Sequence, residues 1–206
     1  MKKDDQNTDV IRQTIAYFDE HAQKQFREAF DITDTAMQDK FLSYVKEGGH
    51  VLDLGCGSGR DAAYFMKRGY TVTAADGSEK LCRLAESHLG IPVRTMEFTE
   101  LQDIDLYDGI FASASIMHLP FDSLKQLMPA LMKALKTGGV LYASFKYGDF
   151  EGISHNRYFT YLNEQRIDQL LDGIGQYEML ETGRVGLEYE KLYGFSWIWF
   201  LLRKTQ

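Results

Sequence analysis

The sequence predicts a single α/β domain built on a doubly wound, mostly parallel sheet. Three observations predict this fold. Short apolar runs alternate with segments of helical periodicity from residue 50 onward, glycines stand where the predicted helices end, and no repeat or proline-rich stretch marks a second domain. The length of 206 residues suits one domain with one core. Strands joined by crossover helices pair in parallel, and such sheets bind ligands at the carboxyl ends of their strands.

Five short apolar runs predict the strands of this sheet. They are His50–Leu54, Tyr70–Ala75, Pro92–Thr95, Asp108–Ala112 and Val140–Lys146. Residues Arg60–Lys67 predict the first crossover helix. An apolar stripe from Leu124 predicts a later helix, which is kinked at Pro129 or begins close to it. Gly69 and the pair Gly138-Gly139 each precede a strand, so we expect helices to end at these glycines.

The N-terminal region precedes this alternating core, which we place at residues 48–146. The first 45 residues carry Ile11, Ile15 and Phe18 at helical spacing. They predict a helical cap over the ligand. The alternative is that these residues form ordinary helices that flank the sheet.

The C-terminal region, residues 147–206, predicts a substrate-side segment followed by a hairpin. A helix is expected at about residues 163–172. The runs 177–185 and 195–204 have the character of strands and only a loop between them, so they can pair as antiparallel neighbours.

Composition and charge exclude several classes of protein. A hydrophobic share of 44% and an aromatic share of 13% are typical of a globular chain. The net charge of -7 argues against a broad phosphate-binding surface, so we do not expect a nucleic-acid partner. Acids at the N-terminus and the short apolar runs predict a cytoplasmic protein without a membrane span, either a monomer or a homodimer. Cys56 and Cys82 lack metal-ligand spacing, so no metal is expected.

The stretch VLDLGCGSGR, residues 51–60, predicts a ligand site at the end of the first strand. Its glycines allow a tight turn and let a ligand approach the bare backbone, and the helix that follows favours an anionic group at its N-terminus. Asp76 ends the second strand, where a carboxylate can accept hydrogen bonds from ribose hydroxyls. Together these features predict a nucleoside site.

The spacing of the glycines indicates which nucleoside the site binds. A dinucleotide fingerprint needs a glycine at position 60, which is Arg60. At Asp53-Leu54-Gly55-Cys56-Gly57-Ser58-Gly59 the sequence instead resembles the class I methyltransferases that use S-adenosylmethionine. The segments YDGIFASASIMHL and LKTGGVLYASF are similar to the motifs of that family's fourth and fifth strands, and the resemblance covers Gly48 to Lys146. Within the family the chain looks like the methyltransferases of types 11, 12 and 25, and GSGRD is similar to the tellurite-resistance type.

The resemblance implies a seven-stranded Rossmann-like sheet with an antiparallel last strand, and a set of residues that contact S-adenosylmethionine. Asp76 corresponds to the ribose ligand, and Glu97 with Phe98 to the adenine contacts. The full set of implied cofactor contacts is Asp53, Gly55, Cys56, Gly57, Arg60, Asp76, Gly77, Glu97, Phe98, Ser113 and Ala114. For Arg60 a structural ion pair is an equal alternative.

Positioning of the acceptor is expected to dominate catalysis, because the sulfonium already makes the methyl group electrophilic. If a general base is used, His118 is the first choice, since it follows the fourth strand and histidine titrates near neutral pH. The alternative is a histidine that caps or lines the loop. Tyr17 and Tyr158, with Phe18 and Phe159, are candidates for an aromatic wall at the substrate, and core packing is the alternative.

The predicted function is methyl transfer from S-adenosylmethionine to a small-molecule acceptor by direct in-line displacement. One alternative is an RNA or nucleotide methyltransferase, which a local basic patch beside the site would favour. Another is a sensor that binds the cofactor without catalysis. A dinucleotide-dependent oxidoreductase is disfavoured by the glycine spacing and by the late hairpin.

Overall fold

The computed structural model describes residues 3–30, 34–185 and 194–206. Its strands are β1 His50–Leu54, β2 Thr71–Asp76, β3 Val93–Thr95, β4 Tyr107–Ala112, β5 Leu135–Lys146, β6 Glu151–Ser154, β7 Arg157–Thr160, β8 Tyr177–Arg184 and β9 Trp197–Lys204. Its α-helices are α1 Lys3–Glu20, α2 Ala22–Ala29, α3 Ala36–Leu42, α4 Arg60–Lys67, α5 Glu79–Leu89, α6 Phe121–Ala134 and α7 Glu164–Leu171. Two short 3₁₀ helices lie at Phe98–Glu100 and Ile116–His118.

Within the described residues, seven strands form one sheet in the order β3-β2-β1-β4-β5-β9-β8. The first five of these are parallel, and β9 pairs antiparallel with both β5 and β8. The predicted fold class, with its parallel sheet and antiparallel end, is confirmed. Because the chain leaves β1 toward one edge and returns through β4 toward the other, a crevice opens at the carboxyl ends of β1 and β4. None of the described helices has the length and apolar character needed to cross a membrane.

Each predicted strand is present, but the prediction of a helix end at the paired glycines is wrong. Helix α6 begins at Phe121, continues through Pro129 and ends at Ala134, so Gly138 and Gly139 lie inside β5. The register between β4 and β5 shifts in this region. A Cβ on Gly139 would lie 3.0 Å from the carbonyl oxygen of Tyr107. Gly139 is therefore required by crowding at this irregularity, whereas Gly138 has a φ of 83°, a conformation that also favours glycine at a helix end.

The segment after β5 contains a second, two-stranded sheet that the sequence patterns did not predict. Strands β6 and β7 pair as an antiparallel hairpin, whose turn residues His155 and Asn156 have positive φ angles of 49° and 62°. Asparagine tolerates this conformation better than most residues. The hairpin packs against α1, and β7 contacts the short helix Ile116–His118. The hairpin therefore borders the crevice.

The N-terminal helices separate onto the two faces of the large sheet. Because side chains alternate along a strand, Leu52 and Ile110 face one core cluster and Val51 and Phe111 face the other. Helix α1 contributes to the first cluster, which lies beneath the crevice. Helix α3 contributes Phe41 to the second cluster. Of the predicted cap, α1 covers the ligand side and α3 is a flanking helix.

We predict that Phe41→Ala lowers the free energy of unfolding by about 3–5 kcal/mol, because truncation of a buried phenylalanine leaves a cavity. Phe41 is 0% exposed, and its ring centroid lies 5.6 Å from that of Phe65 and 5.1 Å from that of Phe111. Urea unfolding measures the change. Phe30→Ala is the control, because Phe30 is 39% exposed and should change stability by about 0.5 kcal/mol or less. Equal effects of the two substitutions would contradict the assignment of α3 to the core.

Candidate active site

The glycine turn between β1 and α4 is shaped by close contacts on both of its sides. Gly55 has a φ of 79°, and a Cβ there would lie 2.3 Å from Cβ of Ser115. Gly59 has a φ of 78°, and a Cβ there would lie 2.9 Å from Leu89. Gly57 differs, since a Cβ would meet no atom within 4 Å. The outer glycines are therefore required by packing, whereas the backbone of Gly57 faces open space.

Asp53 supports this turn from behind. The side chain is only 2% exposed, and Oδ2 accepts a hydrogen bond from the backbone N–H of Ala62 at 2.9 Å. That N–H belongs to the first turn of α4, where backbone donors lack helical partners. Burial raises the pKa of Asp53 well above its usual range. The structure corrects the predicted ligand contact, because the carboxylate holds α4 and does not line the cavity described below.

Asp76 joins the glycine turn to the end of β2. Oδ2 accepts a hydrogen bond from the backbone N–H of Gly57 at 2.9 Å, and Oδ1 accepts one from Ser78 at 2.8 Å. Burial raises the pKa of Asp76, and the backbone donors oppose that rise because they stabilise the carboxylate. The carboxylate also lines the cavity, so it is placed to accept further hydrogen bonds from a ligand.

A cavity of about 280 Å³ opens at the carboxyl ends of β1, β2 and β4. This is close to the lower end of the range of roughly 300–1,000 Å³ that is typical of ligand pockets. The predicted site residues in its wall are Gly55, Cys56, Gly57, Arg60, Asp76, Gly77, Glu97, Phe98, Ser113, Ala114 and His118. The described parts of the chain hold no group of three or more His, Cys, Asp or Glu side chains that could bind a metal ion.

Other wall residues were not predicted as contacts. They are Ile11, Thr14, Ile15, Gln25, Ala29, Ser58, Asp61, Ser78, Leu81, Ser115 and Leu119. Several of them belong to the apolar stripe of α1, which the helical spacing had indicated as a cap without showing which face meets the ligand.

Glu97 and Phe98 form one end of the cavity. Glu97 caps the short helix that follows β3, since its backbone N–H donates to Oε2 of Glu100 at 2.8 Å and its own carboxylate accepts from the first turn. The ring of Phe98 reaches the glycine turn, with Cζ 3.2 Å from where a Cβ of Gly55 would lie. An apolar ring beside a fixed carboxylate can pack against a planar, hydrogen-bonding group such as a base.

Arg60 forms the structural ion pair that was the alternative to a ligand contact. Its Nε donates to Oδ1 of Asp61 at 2.9 Å, and Nη2 donates to Oδ2 at 3.1 Å. Gln38 also donates to Oδ1 of Asp61, at 2.7 Å. Both charged residues line the cavity, but the guanidinium already has a bidentate partner.

Helix α1 is fixed over the cavity at two points. Toward one side, Oγ1 of Thr14 accepts a hydrogen bond from the backbone N–H of Tyr158 at 2.9 Å. Toward the other, Oδ1 of Asp19 accepts from the hydroxyl of Ser78 and, at 3.1 Å, from the backbone N–H of Lys80. The second contact places a carboxylate at the N-terminus of α5, where the helix dipole favours it. Helix α1 therefore connects the β6–β7 hairpin to the N-terminus of α5 across the crevice.

His118 lines the cavity and is only 8% exposed. Its Nδ1–H donates to the carbonyl oxygen of Tyr158 at 2.7 Å, so Nε2 carries the free lone pair. Burial, together with the positive charges of Arg157 and Lys146, lowers the pKa of His118 to about 4. The expectation of titration near neutral pH is therefore wrong, and the imidazole is neutral at pH 7.

Tyr17 and Tyr158 are not in the cavity wall. The ring of Tyr17 stacks on His21 with centroids 4.2 Å apart. The hydroxyl of Tyr158 donates to Glu151 at 3.1 Å, and its backbone positions His118. Phe18, which the sequence analysis named beside them, does line the cavity, and its ring lies 5.2 Å from that of His118.

The comparison with known families agrees with this geometry. Residues 51–139 match a family model described as a methyltransferase domain. The matched stretch, 89 of the 206 residues of the chain, is therefore similar to a methyltransferase domain. The matched residues run from the first strand through the glycine turn to the irregularity in β5, so they include most of the cavity wall.

Similar proteins extend this result. A methyltransferase of Geobacillus sp. strain WCH70 is 29% identical over 54% of this chain and 49% of its own length. A ubiquinone biosynthesis O-methyltransferase of Rhizobium leguminosarum is 29% identical over 48% of this chain and 40% of its own. The chain thus spans about half the length of the curated relatives it matches.

A solved structure shares the fold over almost the whole chain. It is the 1,6-didemethyltoxoflavin-N1-methyltransferase of Burkholderia thailandensis, with 1,6-didemethyltoxoflavin and S-adenosylhomocysteine bound. The TM-score is 0.78 at 22% identity, over 97% of this chain and 91% of that one. The shared region includes the N-terminal and C-terminal segments that the family model does not match.

The residues of the cavity suit S-adenosylmethionine, the cofactor of the methyltransferases that the sequence resembles. The open backbone at Gly57 accommodates close approach, and a Cβ there would project into that space. The carboxylate of Asp76 suits ribose hydroxyls, and Phe98 offers an apolar surface for adenine.

We predict that the pKa of His118 makes the protein less stable at mildly acidic pH. In the unfolded chain the histidine binds a proton below about pH 6.5, whereas in the folded protein it does so only near pH 4. Unfolding therefore takes up a proton between these values, so this group lowers the free energy of unfolding by about 2 kcal/mol from pH 7 to pH 5.

Urea unfolding of the wild type and of His118→Asn at the two pH values measures this loss. Asparagine keeps an N–H donor for the carbonyl of Tyr158 and cannot titrate, and the other ionisable groups are the same in both proteins. The variant should lose about 2 kcal/mol less than the wild type over that range. Equal losses would show that the pKa of His118 is not lowered in the folded protein.

Proposed function

We propose that this protein transfers a methyl group from S-adenosylmethionine to a small-molecule acceptor by direct in-line displacement. The observation that carries the proposal is the meeting of Gly57 and Asp76 in one cavity at the point where the strand order reverses. There the open backbone of the turn and a fixed carboxylate lie 2.9 Å apart, joined by a hydrogen bond. This combination suits a nucleoside that carries a single ribose.

The cofactor supplies an electrophilic methyl group on a sulfonium. On this proposal Asp76 binds the ribose hydroxyls, while Glu97 and Phe98 bind the adenine. The N-terminus of α4 offers backbone donors to the anionic end of the cofactor, since Gly57, Ser58 and Arg60 line the cavity there. Asp53 acts indirectly, because it holds the first turn of that helix.

Positioning of the acceptor is the main catalytic contribution of the chain. Correct orientation of two reactants supplies about 7–11 kcal/mol, whereas a general base adds roughly 10²–10⁴-fold. His118 suits an orienting role, because Nε2 of its neutral ring can accept a hydrogen bond from an O–H or N–H of the acceptor. A base whose pKa is about 4 takes up a proton weakly at pH 7. Ile11 and Phe18 exclude water from the same region.

A small acceptor is supported by the enclosure of the cavity and by charge. Helix α1 covers the site and is hydrogen-bonded on both sides, which leaves little room for a polymer. The chain carries a net charge of -7. Two of the similar proteins are named for small organic molecules, one for ubiquinone biosynthesis and one for 1,6-didemethyltoxoflavin.

We predict that Asp76→Asn weakens binding of S-adenosylhomocysteine at least tenfold. The amide loses the charge that strengthens hydrogen bonds from the ribose, each worth about 1.5–3 kcal/mol. It also turns a donor toward the backbone N–H of either Gly57 or Ser78, which loosens the turn. Isothermal titration calorimetry measures the affinity.

Asp105→Asn is the matched control for this variant. Asp105 pairs with Lys204 on the surface, and its side chain is 63% exposed. This substitution should leave the affinity within twofold of the wild type. A folded Asp76→Asn protein with unchanged affinity would remove Asp76 from the cofactor site.

We predict that label from methyl-labelled S-adenosylmethionine appears in a low-molecular-weight metabolite extract and not in total RNA or DNA. Each pool is incubated with the protein at low and at high salt, because binding to a polynucleotide weakens steeply as salt rises. Label confined to a polynucleotide and suppressed by salt would identify a nucleic-acid methyltransferase. Tight cofactor binding with no label in any pool would favour a sensor.

A further inference from the structure

Three basic side chains surround the ring of Phe159. This residue lies on β7, next to helix α1, which covers the cavity. Nζ of Lys146 lies 4.5 Å from the ring centroid, and the guanidinium carbon of Arg157 lies 5.1 Å from it. The imidazole of His118 lies 4.7 Å from it, measured between centroids. One aromatic ring therefore brings together two cationic side chains and a neutral histidine.

The two charges of this cluster have no carboxylate partner among the residues that the structure describes. Nε of Arg157 is buried and has no hydrogen-bond partner there. Arg166, on the helix that follows the hairpin, is paired by contrast, since it contacts Glu151 at 2.6 Å. Among the described residues, the cluster therefore differs from this neighbour in lacking an acid.

Aromatic rings take the place of counter-ions around Lys146. Besides Phe159, its Nζ lies 4.4 Å from the ring of Phe195 and 5.5 Å from that of Tyr161. Burial and the charge of Arg157 still lower the pKa of Lys146, so the ammonium remains less well stabilised than it would be in water. A bound anion would offset both the repulsion and the lost hydration.

The cluster lies directly behind one wall of the cavity. His118 and Phe18 line the cavity, and the ring of Phe18 lies 5.8 Å from the guanidinium of Arg157. Lys146 ends β5, on the same sheet edge at which the glycine turn and Asp76 lie. Lys146 and Arg157 do not line the cavity themselves, but Phe159, whose ring both of them contact, packs against His118 in the cavity wall.

We propose that the methyl acceptor carries an oxyanion, such as a carboxylate, that binds Lys146 and Arg157. The inference rests on the proposed methyl transfer and adds the chemical class of the acceptor. The oxyanion is a binding group, and the atom that receives the methyl lies elsewhere in the acceptor, on the cavity side of His118.

The first test identifies the class of acceptor. A metabolite extract is separated on an anion exchanger at pH 7.5 before the reaction. Each acceptor is thereby classified by its own charge, before methylation can change that charge. Each fraction is then incubated with the wild-type protein and labelled S-adenosylmethionine. We expect label from the retained, anionic fraction. Label only from the unretained fraction would overturn this inference and leave the methyltransferase proposal intact, whereas no label from either would contradict both.

The second test uses Lys146→Met and Arg157→Met with the active fraction. Each variant should raise the KM for the acceptor at least tenfold, change kcat less than threefold and bind S-adenosylhomocysteine as the wild type does. Lys125→Met is the matched control, because Lys125 also lies over an aromatic ring, 5.5 Å from that of Phe121, outside the cluster. Its KM should equal that of the wild type.

A conservative variant separates charge from packing. Arg157→Lys keeps the charge and should retain a KM within threefold of the wild type, whereas Arg157→Met should not. Calorimetric binding of S-adenosylhomocysteine shows that each variant is folded. An unchanged KM in both methionine variants, or an equal rise in Arg157→Lys and Arg157→Met, would overturn the assignment of an oxyanion site.

Discussion

The carboxylate of Asp76 is the contact on which the candidate site depends. It accepts one hydrogen bond from the turn after β1 and one from the loop after β2, so it fixes these two loops to each other beyond the paired residues of the strands. Asp53 then holds α4 against the same turn. Burial raises the pKa of both acids, which means that the folded chain stabilises their charged forms less well than water does. The crevice is thus organised at some cost in stability.

The parts of the site that depend on the backbone could be predicted from the sequence. The glycine turn and Asp76 are defined by short-range spacing, and a parallel sheet brings strand ends together in a known way. Tertiary contacts decided the rest. The paired glycines of β5 lie at an irregularity of the sheet, and the carboxylate of Asp53 accepts a hydrogen bond from the first turn of α4. Neither the position of these glycines nor the contact of Asp53 can be predicted from local sequence patterns.

The acceptor side was harder to predict for the same reason. The low pKa of His118 comes from burial and from Arg157 and Lys146, which are remote in sequence and meet only through the hairpin after β5. Tyr17 and Tyr158 carry the aromatic character expected of a substrate wall, but side-chain direction places Phe18 there instead. Residue type alone predicted which part of the chain lies near the cavity, but not which side chains line it.

The main chain and the side chains of β7 have different roles. The backbone N–H and carbonyl of Tyr158 hold helix α1 and His118, and any residue except proline offers the same N–H. The flanking side chain of Arg157 is not needed for those two bonds, whereas that of Phe159 is buried in the core. Substitutions at Arg157 can therefore alter the chemical character of this region while the scaffold keeps its geometry. Related chains can diversify here without rebuilding the domain.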